Sequence, residues 1–202
     1  MNGVGGDGFI TLLSHSKNIE NKTTFNTIDK SGRIKFNKPI NRFYNNVFGR
    51  HPKTFYSVNK KFNEEFFSMV DADKNIIYGF HPFSYFDHLK LLDKKEKDYL
   101  NKNSCRILLY SDNIERVAYD DIVKNETSLD ELESKISYHK IRNDVLHKLY
   151  NRGIFNFKIN IEEFWSNKTY ALQKVKDVGL DLEEKYYDQY IEIINLNKTN
   201  MV

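Results

Sequence analysis

The 202-residue sequence predicts an α+β fold with a β-rich N-terminal half built of hairpins and a helix-rich C-terminal half with one further strand. In residues 1–120, apolar and polar residues alternate on both sides of turn-forming sequences, which is typical of hairpins. From Ser128 onward, apolar residues recur mostly at helical spacing instead. Hydrophobic residues make up 40% of the chain and can fill one core, so we expect residues 1–202 to form a single globular domain.

The N-terminus is rich in glycine: the first eight residues include Gly3, Gly5, Gly6 and Gly8. A phosphate-binding loop needs a strand before its glycines, and no room for one exists here. We therefore expect residues 1–8 to be a flexible lead-in, followed by an extended segment at residues 9–13.

Three hairpins are predicted in the first half. The clearest is centred on Gly32, because glycine suits a turn position that needs a positive φ. The paired segments are residues 24–28 with 33–36, 67–70 with 76–78, and 106–110 with 116–119. Short helical pieces are expected near residues 58–67 and 84–100.

The C-terminal half begins with a capping box, in which the side chains of Ser128 and Glu131 can each accept a hydrogen bond from a free backbone amide at the start of a helix. Apolar residues continue the helix, and Gly153 stands where a C-terminal cap would. Those apolar positions are Leu129, Leu132, Ile136, Val145, Leu146 and Leu149. Residues 155–161 then alternate strictly, which predicts a half-buried strand.

Two further helices are expected near the C-terminus. Residues 169–178 form the first, which ends at Gly179. Asp181 and Glu184 form a second capping box, which favours a helix from Leu182 onward. Residues 190–194 leave an alternative open, because Ile and Tyr also favour a strand.

Charge and cysteine content exclude several classes of protein. The formal net charge is only +3, with Lys and Glu interleaved, so the charge distribution does not support nucleic-acid binding. The single cysteine, Cys105, excludes an intrachain disulfide. No apolar run is long enough for a membrane span, and no signal peptide is evident. We expect a cytoplasmic protein, or one secreted without a classical signal peptide.

Two acidic and two histidine positions could carry metal chemistry. Asp71 and Asp73 lie on a loop, as divalent-metal ligands often do, although the same residues are common in hairpin turns. His81 and His88 follow in an aromatic-rich segment with Asp87. These residues define one alternative function, a metal-dependent hydrolase or nuclease.

Other reactive side chains point to structural roles. His139 and His147 are too far apart on one helix for a shared metal ion, so we expect a solvated face there. Cys105 has only Arg106 beside it to stabilise a thiolate, so we expect a structural cysteine.

Residues 12–17, Leu-Leu-Ser-His-Ser-Lys, end an apolar run on His15. The segment resembles the first catalytic strand of the ADP-ribosyltransferases of the His-Tyr-Glu branch, with Ser16 where that family has glycine. The resemblance implies that His15 lies beside the ribose of NAD. It also implies that Tyr56, which lies where the second of the family's three motifs is expected along the chain, stacks on the nicotinamide ring.

A late glutamate completes the constellation that this resemblance implies. Glu192 is the candidate, with Glu163 as a rival, and it would stabilise the oxocarbenium-like transition state. The leading functional expectation is therefore an ADP-ribosyltransferase-like effector or toxin that cleaves NAD at the nicotinamide–ribose bond.

The abundance of aromatic residues leaves a further alternative open, a non-catalytic interaction protein such as an immunity protein, an inhibitor or an assembly factor. Its marker would be exposed Phe and Tyr side chains gathered into a surface that binds a protein partner.

Overall fold

The computed structural model describes residues 6–19, 27–28, 34–35, 90, 92–125 and 127–199. Within these ranges the chain is mostly helical, at 68%, so the prediction of a β-rich N-terminal half built of hairpins is wrong. The helices are α1 (Gly6–Leu13), α2 (Lys94–Asn103), α3 (Ile114–Asn125), α4 (Leu132–Asn151), α5 (Ile161–Ser166), α6 (Lys168–Asp177) and α7 (Glu184–Thr199). The strands are β1 (Thr27–Ile28), β2 (Ile34–Lys35), β3 (Ile107–Tyr110) and β4 (Phe157–Asn160).

The chain divides into two compact units. The first unit comprises Met1–Gly6 and Ser104–Val178, and the second comprises Asp7–Asn103 and Gly179–Val202. None of the helices among the described residues is long and apolar enough to cross a membrane.

The first unit is organised around two parallel strands. β3 pairs with β4 so that Ile107 lies opposite Phe157 and Tyr110 opposite Asn160. Parallel strands need a crossover connection, and α3 and α4 supply it. The hairpin expected between residues 106–110 and 116–119 is therefore wrong, because the second of those segments belongs to α3.

Helix α3 forms because its start is capped and its buried positions recur at helical spacing. The Asn113 side-chain oxygen accepts a hydrogen bond from the Arg116 amide at 3.0 Å, which satisfies a free donor of the first turn. Val117, Ala118 and Ile122 are all buried and lie on one side of the helix. The alternation that favours a strand at residues 116–119 is thus part of a helical pattern.

The long helix predicted after Ser128 is confirmed as α4, preceded by a 3-10 turn at Leu129–Glu131. The Ser128 hydroxyl accepts from the Asp130 amide at 3.2 Å, and Gly153 has a φ of +75° just beyond the helix end. Leu146 packs against Leu108 of β3 and Phe155, so one face of α4 closes the core of this unit.

The predictions for residues 155–161 and 169–178 are also confirmed, as β4 and α6. Asn160 ends the strand and caps α5, because its side-chain oxygen accepts from the Glu163 amide at 3.1 Å. Gly179 has a φ of +80° after α6, a conformation that glycine adopts without strain.

In the second unit, the segment expected to be extended at residues 9–13 is part of helix α1 instead. Gly6, Asp7 and Gly8 of the expected lead-in belong to the same helix. A side chain at Gly8 would overlap the ring and hydroxyl of Tyr190, so glycine is required where α1 meets α7.

Helix α7 confirms the prediction of a helix beyond Leu182, and the alternative strand at residues 190–194 is wrong. Tyr187, Tyr190 and Ile193 are buried at three-residue spacing, which places them on one face of a helix. The turn after α1 is tied to the loop before α7, since the Lys17 amide donates to the Asp181 carbonyl at 2.8 Å.

The remaining described elements are short. β1 and β2 pair antiparallel over two residues each, within the sequence of the first predicted hairpin. α2 begins with a reciprocal cap between Asp93 and Glu96, in which each side chain accepts from the other residue's amide at 2.9 Å. The second predicted hairpin and the helical piece at residues 58–67 lie outside the described residues.

Candidate protein interface

Helix α4 carries a row of apolar side chains that faces solvent. The exposed fractions are 51% for Tyr138, 66% for Ile141 and 37% for Val145. Residues three and four apart are neighbours on a helix surface, so these side chains form a continuous strip together with Ser134 one turn earlier. We call Ser134, Tyr138, Ile141 and Val145 the α4 stripe.

Other residues of the same helix form a face that is buried in the core. His139, Arg142 and Leu146 are buried at spacings of three and four. Because successive helix residues are rotated by about 100°, this buried face is turned well away from the strip that carries Ile141. The sequence of α4 thus supports two faces, one for the core and one for solvent.

Buried neighbours hold Tyr138 in place. The Arg142 guanidinium lies 5.2 Å from the centroid of the Tyr138 ring, and one of its nitrogens donates to the Tyr138 hydroxyl at 3.3 Å. The ring of His139 meets the same tyrosine edge to face at 5.3 Å. A side chain ordered before binding loses less entropy when a partner covers it, so these contacts favour binding.

A polar cluster anchors α4 to α3. The Asp121 carboxylate accepts from the Lys135 ammonium at 3.1 Å and lies 3.4 Å from Nε2 of His139. Burial would raise the pKa of Asp121, but the hydrogen bonds and charges of Lys135 and His139 outweigh it, and the pKa is lowered. Burial lowers the pKa of His139, against the opposing effect of Asp121. The expectation that His139 lies on a solvated face is wrong, since only 3% of it is exposed.

The other exposed large apolar side chains lie close by in sequence. Tyr119 and Val123 project from α3, and Leu129 projects from the turn before α4. Together with Tyr138, Ile141 and Val145, they are all the large apolar side chains that are exposed within the part of the chain that the structure describes. Scattered exposed apolar residues are ordinary on a protein surface, whereas their confinement to one helical hairpin points to a binding surface.

The structure describes two residues of the expected NAD site, His15 and Glu192. His15 lies in the turn after α1, with its ring centroid 4.8 Å from that of Tyr186 on α7. Glu192 is exposed on α7, six residues after Tyr186, and therefore lies on a different side of that helix, about 9 Å further along it. Tyr56 lies outside the described residues, so the roles of the three residues stay predictions.

The other candidates from the sequence are placed as follows. Glu163, the rival of Glu192, is exposed in the first turn of α5. Cys105 is exposed, and partial burial of its thiol raises the pKa against the opposing charge of Arg106, which disfavours the thiolate. Asp71, Asp73, His81, Asp87 and His88 lie outside the described residues.

A second polar cluster lies at the carboxyl ends of β3 and β4. The Ser111 hydroxyl donates to the Glu162 carboxylate, and the Asn160 amide donates to Asp112 at 2.7 Å. These bonds join the starts of α3 and α5, so they stabilise the ends of the two strands. Where the structure describes the chain, no group of three His, Cys, Asp or Glu side chains could hold a metal ion.

Two residues of the α4 stripe, Tyr138 and Ile141, are missing from the set of apolar positions that the sequence singles out on this helix. The sequence pattern that marks them is the spacing of four, three and four residues from Ser134 to Val145, which is separate from the spacing of the buried residues on the same helix.

No family model matches the chain, and neither a curated protein nor a solved structure is detectably similar to it. A functional assignment therefore depends on the geometry of the chain's own residues.

Proposed function

We propose that this chain is a non-catalytic interaction protein, of the kind that acts as an immunity protein, an inhibitor or an assembly factor, and that the α4 stripe is its binding face. One observation supports the proposal above all: every exposed large apolar side chain among the described residues lies on the segment from α3 to α4. The net charge is only +3, so a strong overall charge does not drive binding.

The stripe offers apolar surface that a partner can cover. Full burial of one large apolar side chain contributes about 1.5–3 kcal/mol, so covering the exposed parts of Tyr138, Ile141 and Val145 contributes about 3 kcal/mol in all. Interfaces concentrate their binding energy in a few central residues, among which tyrosine is enriched. Tyr138, ordered by Arg142, and Ile141 at the centre of the strip fit that description.

Affinity capture tests the proposal. The wild-type chain, Ile141→Asp and Lys140→Gln are used as baits in lysate of the source cells, and bound proteins are quantified by mass spectrometry. Lys140→Gln is the matched control, because it makes the same change in net charge at an exposed position beside the stripe. Circular dichroism confirms that all three chains fold.

We expect at least one protein that wild type and Lys140→Gln capture and that Ile141→Asp loses by about tenfold or more, as for central interface residues. An identical set of captured proteins for all three baits would contradict the proposal.

The enzymatic expectation has its own test. A ligand that binds only the folded state raises the melting temperature, so NAD at millimolar concentration should do so for a transferase that uses His15, Tyr56 and Glu192. Divalent cations should do so for a metal-dependent hydrolase. Release of nicotinamide from NAD by the wild-type chain would refute the non-catalytic proposal.

A further inference from the structure

The α4 stripe has the spacing of a coiled-coil seam. Ser134, Tyr138, Ile141 and Val145 follow one another at intervals of four, three and four residues, the a and d positions of a heptad. A strip this narrow on a helix fits another helix better than it fits a flat sheet surface. The chemistry of the stripe therefore selects a helical partner.

Exposed charges at the two ends of α4 have opposite signs. Glu133 stands at the start of the helix, next to Asp130 and Glu131 of the preceding turn, and all three are exposed. Lys148 stands in the last turn, with Arg152 directly after the helix, and both are exposed. The partner that complements this pattern is a helix with basic charge opposite Glu133 and acidic charge opposite Lys148.

We propose that the α4 stripe binds the α4 stripe of a second copy of this chain, with the two helices antiparallel about a two-fold axis at Ile141. The inference rests on the proposed function, since it names the partner of the same surface. In this arrangement Ile141 packs on its own symmetry mate, and Tyr138 packs against Val145 of the second copy. Each Glu133 then lies opposite Lys148 of the other copy, so both ends carry attractive pairs.

Charge also selects the direction of the helices. A parallel pair in the same register would place Lys148, which follows Val145 by three residues and continues the seam, against its own copy, and like charges at close range are repulsive. The antiparallel pair places Lys148 near Glu133 of the other copy instead. Its interface is one helix of 20 residues, about 30 Å long, on each side, so the dimer is weak and reversible.

Sedimentation velocity from low micromolar to near-millimolar concentration tests this dimer. We expect wild type to show reversible association, and Ile141→Asp to weaken it by about tenfold or more. Glu133→Lys and Lys148→Glu should each weaken association, because each creates like-charged pairs at both ends. The double variant, and an equimolar mixture of the two single variants, should recover it. Lys140→Gln is the control that should associate as wild type does.

Three results would overturn the inference. They are a wild-type chain that stays monomeric, association that Ile141→Asp does not weaken, and a double variant that does not recover. In a parallel dimer the single charge variants would not weaken association, because like-charged pairs are already present. If the chain is monomeric but captures a protein through Ile141, the inference fails and the proposed function stands; if neither occurs, both fail.

Discussion

Asp121 lies between α3 and α4, and its replacement by asparagine tests whether a charged cluster fixes the helix that carries the stripe. Only 5% of the residue is exposed, and its carboxylate contacts both Lys135 and His139. Asp121→Asn keeps the shape of the side chain and removes its charge. The Lys135 ammonium then loses its ionic partner.

The expected cost follows from the distances. At an effective dielectric constant of about 20, opposite charges 3.1 Å apart attract by about 5 kcal/mol. Desolvation of the carboxylate offsets much of this, and the Lys135 side chain, 26% exposed, can regain water. The His139 contact at 3.4 Å is long and adds little. We expect Asp121→Asn to lower the free energy of unfolding by about 1–2 kcal/mol.

Urea denaturation near neutral pH, followed by circular dichroism, measures this change. Asp120→Asn is the matched control: burial raises the pKa of Asp120, against the opposing charge of Arg116, so its charge does not stabilise the fold. We expect that control to be neutral or slightly stabilising. A stability of Asp121→Asn within about 0.5 kcal/mol of wild type, or an equal loss in both variants, would show that the charge of Asp121 does not hold α3 and α4 together.

Three further substitutions have defined outcomes. Gly8→Ala should cost about 1–3 kcal/mol in thermal or urea unfolding, because its methyl group overlaps the buried Tyr190; a neutral result would show that α1 and α7 are not this close. Burial lowers the pKa of His139 below its usual 6.5. As the pH falls below about 6.5, His139 takes up a proton in the unfolded chain but not in the folded chain, so the free energy of unfolding falls. His139→Gln should therefore reduce the loss of stability between about pH 7 and pH 5, and an unchanged slope would contradict a buried neutral histidine. Asn160→Ala should cost about 1–2 kcal/mol in urea, because it removes the cap of α5 and the bond to Asp112; a cost below about 0.5 kcal/mol would contradict this.

Helices with local signals could be predicted from the sequence. The Ser128 cap and Gly153 mark the two ends of the α4 segment, and Gly179 marks the end of α6. These signals work because a cap and a positive φ depend only on residues nearby in the chain. The strand at β4 could be predicted for the same reason, since its alternation is local.

Long-range pairing could not be predicted in this way. β3 pairs with a strand about 50 residues later, whereas a hairpin partner was expected a few residues away. Asn113, interpreted as part of a hairpin turn, instead caps α3. Turn residues and helix caps are the same residue types, so the sequence alone did not separate the two roles.

The short apolar run at residues 9–13 shows a second limit. Five apolar or β-branched residues fit a strand or a buried helix equally well, and glycines beside them argue against a helix. Tertiary contact decides the outcome, because Gly8 allows Tyr190 of α7 to approach α1. The α4 stripe could be recognised only in part, since its spacing is visible in the sequence but its exposure is not.

Quantitative capture with the wild-type chain and Ile141→Asp in parallel shows whether the α4 stripe is a binding face. A second copy of the chain, carrying a distinguishable tag, is included in the lysate. We expect wild type to retain the tagged copy or another protein and Ile141→Asp to lose it, while Lys140→Gln behaves as wild type does. Equal retention by all three chains, or retention of nothing by any of them, would contradict it.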